Sequence, residues 1–309
     1  MRPILSALAL ALAAPALAND ETPPAEPGAA ATEPSIPRHR LYYENLSAVR
    51  LNPLGLQEYF TLGYRLRLVE SDNVLFKDTY LWVGPTVNLS PAFVKGGAMV
   101  QIMPIAVLRL TARYRGQYYF GTFDQIQSWS DTSVNWSDSA MKASNDQAYA
   151  TGGHNISLEV RVQGKVGPVA VRNTSVFHRN WLDVTDGTDL YYDQTFDILA
   201  PADGWFFVND LDVLGLFLDG APLKVGARYT YTAPYYGNGD RSEGNDTHRV
   251  GPLIAYTFKD KPGSRFDAPT ALLLAQWHVK HPNRAGQDVH QAFPYLALAF
   301  LFQGDLVPW

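Results

Sequence analysis

Hydrophobic and polar residues alternate along Ala106–Phe120, AVLRLTARYRGQYYF. Leu108, Leu110, Ala112, Tyr114, Gly116 and Tyr118 share one parity, while Arg109, Thr111, Arg113, Arg115, Gln117 and Tyr119 share the other. A period of two is that of a β-strand with one apolar and one polar face. A helix, turning ~100° per residue, would scatter both sets around its axis. The same rhythm predicts strands at Leu56–Glu70, Thr79–Leu89, a stretch from about Met99 to Phe120, His154–Gly164 and Val169–Trp181. It continues at Trp205–Phe217, Leu223–Tyr235, Val250–Phe258, Thr270–Lys280 and Phe293–Gln303.

Between these strands, Ser90–Gly97 reads as a connector and 121–153 as the longest loop, polar and rich in turn residues. Tyr191–Leu199 reads as an extension or hairpin above the strands, because counting it reverses the direction of everything after it. Leu41–Gly55, broken by Asn-Pro and Gly, reads as a lead-in segment (41–55) along one rim. The fold class is therefore all-β, an antiparallel up-and-down barrel of about ten strands. Twelve is the alternative if Leu41–Leu51 and Tyr191–Leu199 both pair.

Two features decide which way the polar face points. Aromatic residues gather where strands meet the longer loops, as in Tyr118–Phe120, Phe177 with Trp181, Trp205–Phe207, Tyr235 with Tyr236, Trp277 and Phe293. That is the girdle of a membrane barrel. Arginines also fall within strands rather than at their ends. An Arg facing lipid at mid-membrane costs ~2–4 kcal/mol, so the polar parity faces inward. The predicted lumen-lining charges are Arg65, Arg67, Arg109, Arg113, Arg115, Glu159, Arg161, Asp210, Asp212 and Arg228.

The N-terminus agrees with export. Arg2, the apolar run Ile4–Ala14 and Ala16-Leu17-Ala18 form a signal peptide over residues 1–18. Residues 19–40, rich in Pro, Ala and Glu, read as a disordered periplasmic linker. Residues 56–309 then form one transmembrane β-barrel domain. No later stretch is long and apolar enough for a spanning helix. The formal net charge of −5 argues against a nucleic-acid partner, and the absence of cysteine rules out disulfides.

The signal peptide, the alternating strands and the C-terminal aromatic Trp309 together resemble Gram-negative outer-membrane β-barrel proteins in general. The resemblance covers 56–309 and implies an outer-membrane location, contact with its lipid, and assembly by the barrel insertion machinery. The ending departs from the usual pattern. Asp305 and Gln303 stand where apolar residues are expected, so GDLVPW reads as a tail after the last strand.

Candidate chemistry is sparse. The interior charges form either a hydrogen-bonded plug or the lining of a narrow anion-preferring pore, and the plug is favoured at this barrel size. Six of the 7 histidines fall at the loop-side rim, and parity puts His278 and His281 on opposite faces. A mouth site of His278, His281, Asp288 and His290 is the alternative, a surface hydrolase. It rests on a resemblance to ten-strand outer-membrane proteases, which set an Asp-x-His pair against two acids. Asp288-x-His290 and Asp210-x-Asp212 match that spacing. The main reading is a structural, binding or weakly pore-forming barrel, with no catalytic residue, metal or cofactor.

Overall fold

A computed structural model describes residues 36–218, 220–237, 242–259, 261–285 and 289–309. Twelve antiparallel strands close into one barrel. They are β1 (His39–Leu51), β2 (Gly55–Arg67), β3 (Tyr80–Ser90), β4 (Phe93–Ile105), β5 (Leu108–Tyr119), β7 (Thr151–Val166), β8 (Val169–Leu182), β11 (Asp203–Phe217), β12 (Leu223–Tyr235), β13 (Thr247–Thr257), β14 (Asp267–Lys280) and β15 (Tyr295–Asp305). Each pairs with its neighbours along the chain, and β1 closes the ring against β15, Tyr42 opposite Asp305. Short strands β6 (Ser128–Trp129), β9 (Leu190–Asp193) and β10 (Ile198–Pro201) form a separate three-stranded sheet.

The count of ten is thus corrected to twelve, by two elements. Leu41–Leu51 is no lead-in segment: it pairs on both sides as β1, and the barrel begins at His39. The linker boundary at residue 40 moves accordingly, while 1–18 and 19–35 lie outside the described residues. The alternation of β1 is muted because its inward face carries Leu46 and Ala48 beside Glu44 and Arg50, whereas its outward face includes Asn45 and Ser47. The second element is β4, which spans most of the supposed connector and the lower part of the Met99–Phe120 stretch. The chain reverses at Ala106-Val107, with a register shift between Ile102 and Ile105. Neither turn residue is Gly, Pro, Asn or Asp, and Pro104 just before them reads equally well as a residue at a strand edge or bulge. Tyr191–Leu199 does form a hairpin, but it stays out of the barrel wall.

The wall obeys the pleat. On β5 the odd positions Arg109, Thr111, Arg115, Gln117 and Tyr119 are buried and the even positions Leu110, Tyr114 and Tyr118 exposed. Exposed apolar side chains continue round the outside through Leu158 and Val160, Val171 and Phe177, Leu211 and Val213, Val250 and Ile254, Leu273, Leu298 and Phe300. A water-soluble monomer rarely carries more than a few hundred Å² of contiguous apolar surface, so this belt fits lipid. A polar patch interrupts it where Asn173, Ser175 and Asn209 hydrogen-bond across β8 and β11.

Because β1 starts and β15 ends at the same rim, the opposite rim carries the connections 52–54, 91–92, 120–150, 183–202, 236–246 and 281–294. At the terminal rim the tail packs back, Trp309 Nε1 donating to Asp305 Oδ2 at 2.9 Å with Arg40 over its ring. All of the longest loops except 68–79 and 258–266 therefore meet at one mouth.

Candidate functional site

The predicted charges lie on the inward parity of the wall, eight of the ten in two groups. Glu159 on β7 sits among three guanidiniums. Arg109 and Arg161 bond Oε1, the latter at 3.1 Å, and Arg113 reaches Oε2 at 3.1 Å. Nearby Arg115 donates to the neutral Asn155 at 2.7 Å and pairs with no carboxylate among the described residues. The second group is balanced. Asp212 on β11 takes Arg172 and Arg228, with Arg228 Nε at 2.6 Å from Oδ1. Asp210 lies 3.5 Å from Arg228 and accepts from Thr230 at 2.7 Å. Arg65 lies near the terminal rim, stacked on Tyr80 at 3.5 Å and Tyr42 at 4.9 Å. Arg67 donates to the Ile36 carbonyl at 3.3 Å.

Sequence reasoning missed Arg172, Arg50 and Lys95. Arg172 has the inward parity of β8, but its neighbours Asn173 and Ser175 hide the alternation because the outward face is polar there. Arg50 lay in the supposed lead-in segment. It donates to the carbonyls of Thr195, at 2.8 Å, and Gln194.

Part of the lumen lining is apolar. Leu46, Ala255 and Leu301 cluster there, and Leu214, Leu253 and Leu274 form a second cluster with Ala170. Two cavities lie between the walls. A cavity of about 140 Å³ is lined by Arg113, Arg115, Ser157, Glu159, Arg161 and their neighbours. One of about 110 Å³ is lined by Leu46, Leu272, Leu274, Ala299 and Leu301 with Arg50 and Arg228 at its edge. Leu46 and Tyr59 line both, so the two adjoin.

Above them the mouth is filled. The hairpin β9–β10 brings Tyr191, Ile198 and Ala200 into a cluster with wall residues Phe93, Tyr119, Leu182 and Phe206, all buried. Part of the predicted aromatic girdle therefore turns inward: Tyr119, Phe206 and Tyr236 are buried, while Tyr118, Phe177, Trp181, Trp205 and Trp277 face out. The short helix α1 (Asp138–Ala143) starts at Ser137, whose Oγ accepts from Ala140 N at 3.3 Å. Its Met141 packs with Trp136, Leu190, Tyr192, Leu199 and Tyr236 in a second cluster.

Arg284 ties these loops together. Nη1 and Nη2 meet the Asp138 carboxylate at 2.8 Å each, Nε meets Asp197 Oδ2 at 2.7 Å, and Nη1 also reaches Asn52 at 3.1 Å. A bidentate guanidinium–carboxylate pair is among the strongest polar contacts available to side chains. His281 Nε2 lies 3.1 Å from Asp197 Oδ2. Burial alone would raise the Asp197 carboxyl, but Arg284 and His281 hold it well below the usual carboxylate range. Tyr236 donates to the Leu199 carbonyl at 2.7 Å, and Trp136 donates to Asn245 at 3.1 Å. With Ala92 in the first cluster, all six connections at this rim take part.

The mouth histidines do not assemble as expected. His278 and His281 are in edge contact at 4.9 Å rather than on opposite faces, because β14 ends at Lys280 and strand parity stops there. His290 is exposed and accepts from Ala292 N at 3.1 Å. Asp288 lies outside the described residues. Asp210 and Asp212 sit mid-wall, paired to Arg228, and not at the mouth.

No protein-family model matches the chain, and no curated protein matches it. Solved structures similar to it include the β-domain of the Bordetella autotransporter BrkA, at TM-score 0.44 and 11% identity over 87% of this chain and 100% of that one. Salmonella typhi OmpF in complex with daunomycin scores 0.36 at 10% identity, over 86% and 97% of the two chains. The translocator domain of the autotransporter NalP from Neisseria meningitidis scores 0.31 at 9% identity, over 86% of each chain. The chain resembles Gram-negative outer-membrane barrels.

Proposed function

We propose that the chain is an outer-membrane β-barrel whose lumen is a closed, charged binding chamber rather than a free-diffusion pore. The apolar belt supports a membrane location, and the signal peptide read at 1–18 supports export, with 19–38 as a periplasmic lead to β1 and the barrel insertion machinery as an assembly partner. The single observation that carries the closed reading is the mouth: two buried apolar clusters and the Arg284 knot fill it from all six connections. Width permits it. Eight strands leave an interior filled by side chains and about 16–18 leave an aqueous channel, and twelve falls between.

The Arg-rich lining of Arg109, Arg113, Arg115 and Arg161 around Glu159 would make any residual permeation prefer anions. The hydrolase alternative lacks its facing acids, since Asp210 and Asp212 are engaged deep in the wall. The test is chloride and small-sugar efflux from liposomes carrying the purified barrel. The expected rate is that of empty liposomes, and size-dependent efflux would overturn the closed reading.

A further inference from the structure

The two adjoining cavities have opposite chemistry. In the first, three guanidiniums share the Glu159 carboxylate, and Arg115 adds a fourth positive charge beside a neutral amide. Glu44 faces them from the opposite wall and Asp210 is already held by Arg228. Ser157 Oγ, Arg115 Nε and Arg161 Nη1 are buried and have no hydrogen-bond partner among the described residues. Ser157 and Arg161 are each 1% exposed, so bulk water does not serve them. Buried donors left unmade are costly, and a cluster of them on cationic groups is what an anionic oxygen satisfies.

In the second cavity the lining is chiefly leucine and alanine. An apolar cavity of ~150 Å³ accepts a benzene-sized guest, and this one has a comparable volume of about 110 Å³. Since Leu46 and Tyr59 border both, one molecule can occupy them together only if one end is anionic and the other is hydrocarbon.

We propose that the lumen binds a single-chain amphiphile with an anionic head, carboxylate or phosphate. The head sits among Arg113, Arg115, Arg161 and Ser157, and the chain lies along Leu46, Leu272, Leu274, Ala299 and Leu301. This rests on the closed-chamber reading and names what the chamber takes.

The test is titration calorimetry, checked by native mass spectrometry, on the full barrel in lipid nanodiscs, with empty nanodiscs subtracted. Hexanoate and hexyl phosphate, whose tails match a benzene-sized cavity, are the two head-group arms. Acetate and inorganic phosphate supply a head without a tail, and hexanol a tail without a charged head. Saturable one-to-one binding of either anionic amphiphile is expected, at least tenfold tighter than hexanol or the bare anions, and the tighter arm names the head. Ala299→Trp, which fills the tail end, and Arg115→Gln, which removes unpartnered donors, each weaken binding tenfold or more. Equal binding of hexanol and hexanoate, equal binding of the bare anions, or no saturable binding in a barrel that passes no solute overturns this inference. Solute efflux overturns the closed reading instead, so the two failures are told apart.

Discussion

Glu159 and Asp212 are both buried carboxylates on neighbouring parts of one lumen wall, yet their surroundings differ. Around Asp212, two guanidiniums meet two carboxylates, Asp212 itself and Asp210. Around Glu159, three guanidiniums meet one carboxylate, a fourth stands nearby, and the group borders a cavity. The first arrangement neutralises itself and cements the wall. The second retains a positive excess, which a purely structural network would have no reason to keep, since unbalanced buried charge destabilises. The comparison separates charges that hold the barrel shut from charges left available to a guest.

If Asp212 is cement, Asp212→Asn carries the largest penalty. Removing one partner of a buried ion pair costs ~3–5 kcal/mol. The midpoint of urea unfolding, read by heat-modifiable gel migration, should fall accordingly. Glu159→Gln strips the counter-charge from more guanidiniums but beside a cavity, where an anionic guest relieves part of the cost. We expect about 1–3 kcal/mol, between a surface pair and a sealed one. Added hexanoate should recover part of that loss but none of the loss in Asp212→Asn. Equal penalties without recovery would erase the distinction. Arg115→Gln should cost about 1 kcal/mol or less, the value of one hydrogen bond, while still weakening the guest.

The smallest effect belongs to acid. Asp197 titrates in the folded protein well below the ~3.9 of an unfolded aspartate. A depressed carboxyl contributes stability above its unfolded value, and that contribution is lost only as pH falls through the lower folded value. The mouth should therefore stay locked at pH 5, with tryptophan fluorescence from Trp129 and Trp136 unchanged from neutral pH, and loosen only in strong acid.

Much of the barrel was legible because lipid enforces alternation wherever the lumen face is polar. Leu108–Tyr119 and Ile156–Gln163 show both faces clearly. Legibility failed where the two faces lose contrast. In β1 the lumen face is partly apolar, and in β4 Met99 and Met103 face in while Val100 and Ile102 face out. Both strands were lost to that. Parity pointed to many of the interior charges but missed Arg172, whose outward neighbours are Asn and Ser, and Arg50 and Lys95, which lie in the two strands that were lost. The plug was not readable. Arg284 meets Asp138, 146 residues away, and Asn52, 232 residues away, and no local period encodes such contacts. The aromatic runs gave half a signal: position marked the rim, but a run such as Trp205-Phe206-Phe207 sends its members to opposite faces.

The central claim is that the mouth is shut by its own loops. Single-channel recording in planar bilayers, comparing the native barrel with Arg284→Gln, tests it most directly. Losing Arg284 unties Asp138, Asp197 and Asn52 together. The native protein should give a flat baseline and Arg284→Gln discrete, anion-preferring steps. Steps of equal size from both proteins would contradict the account.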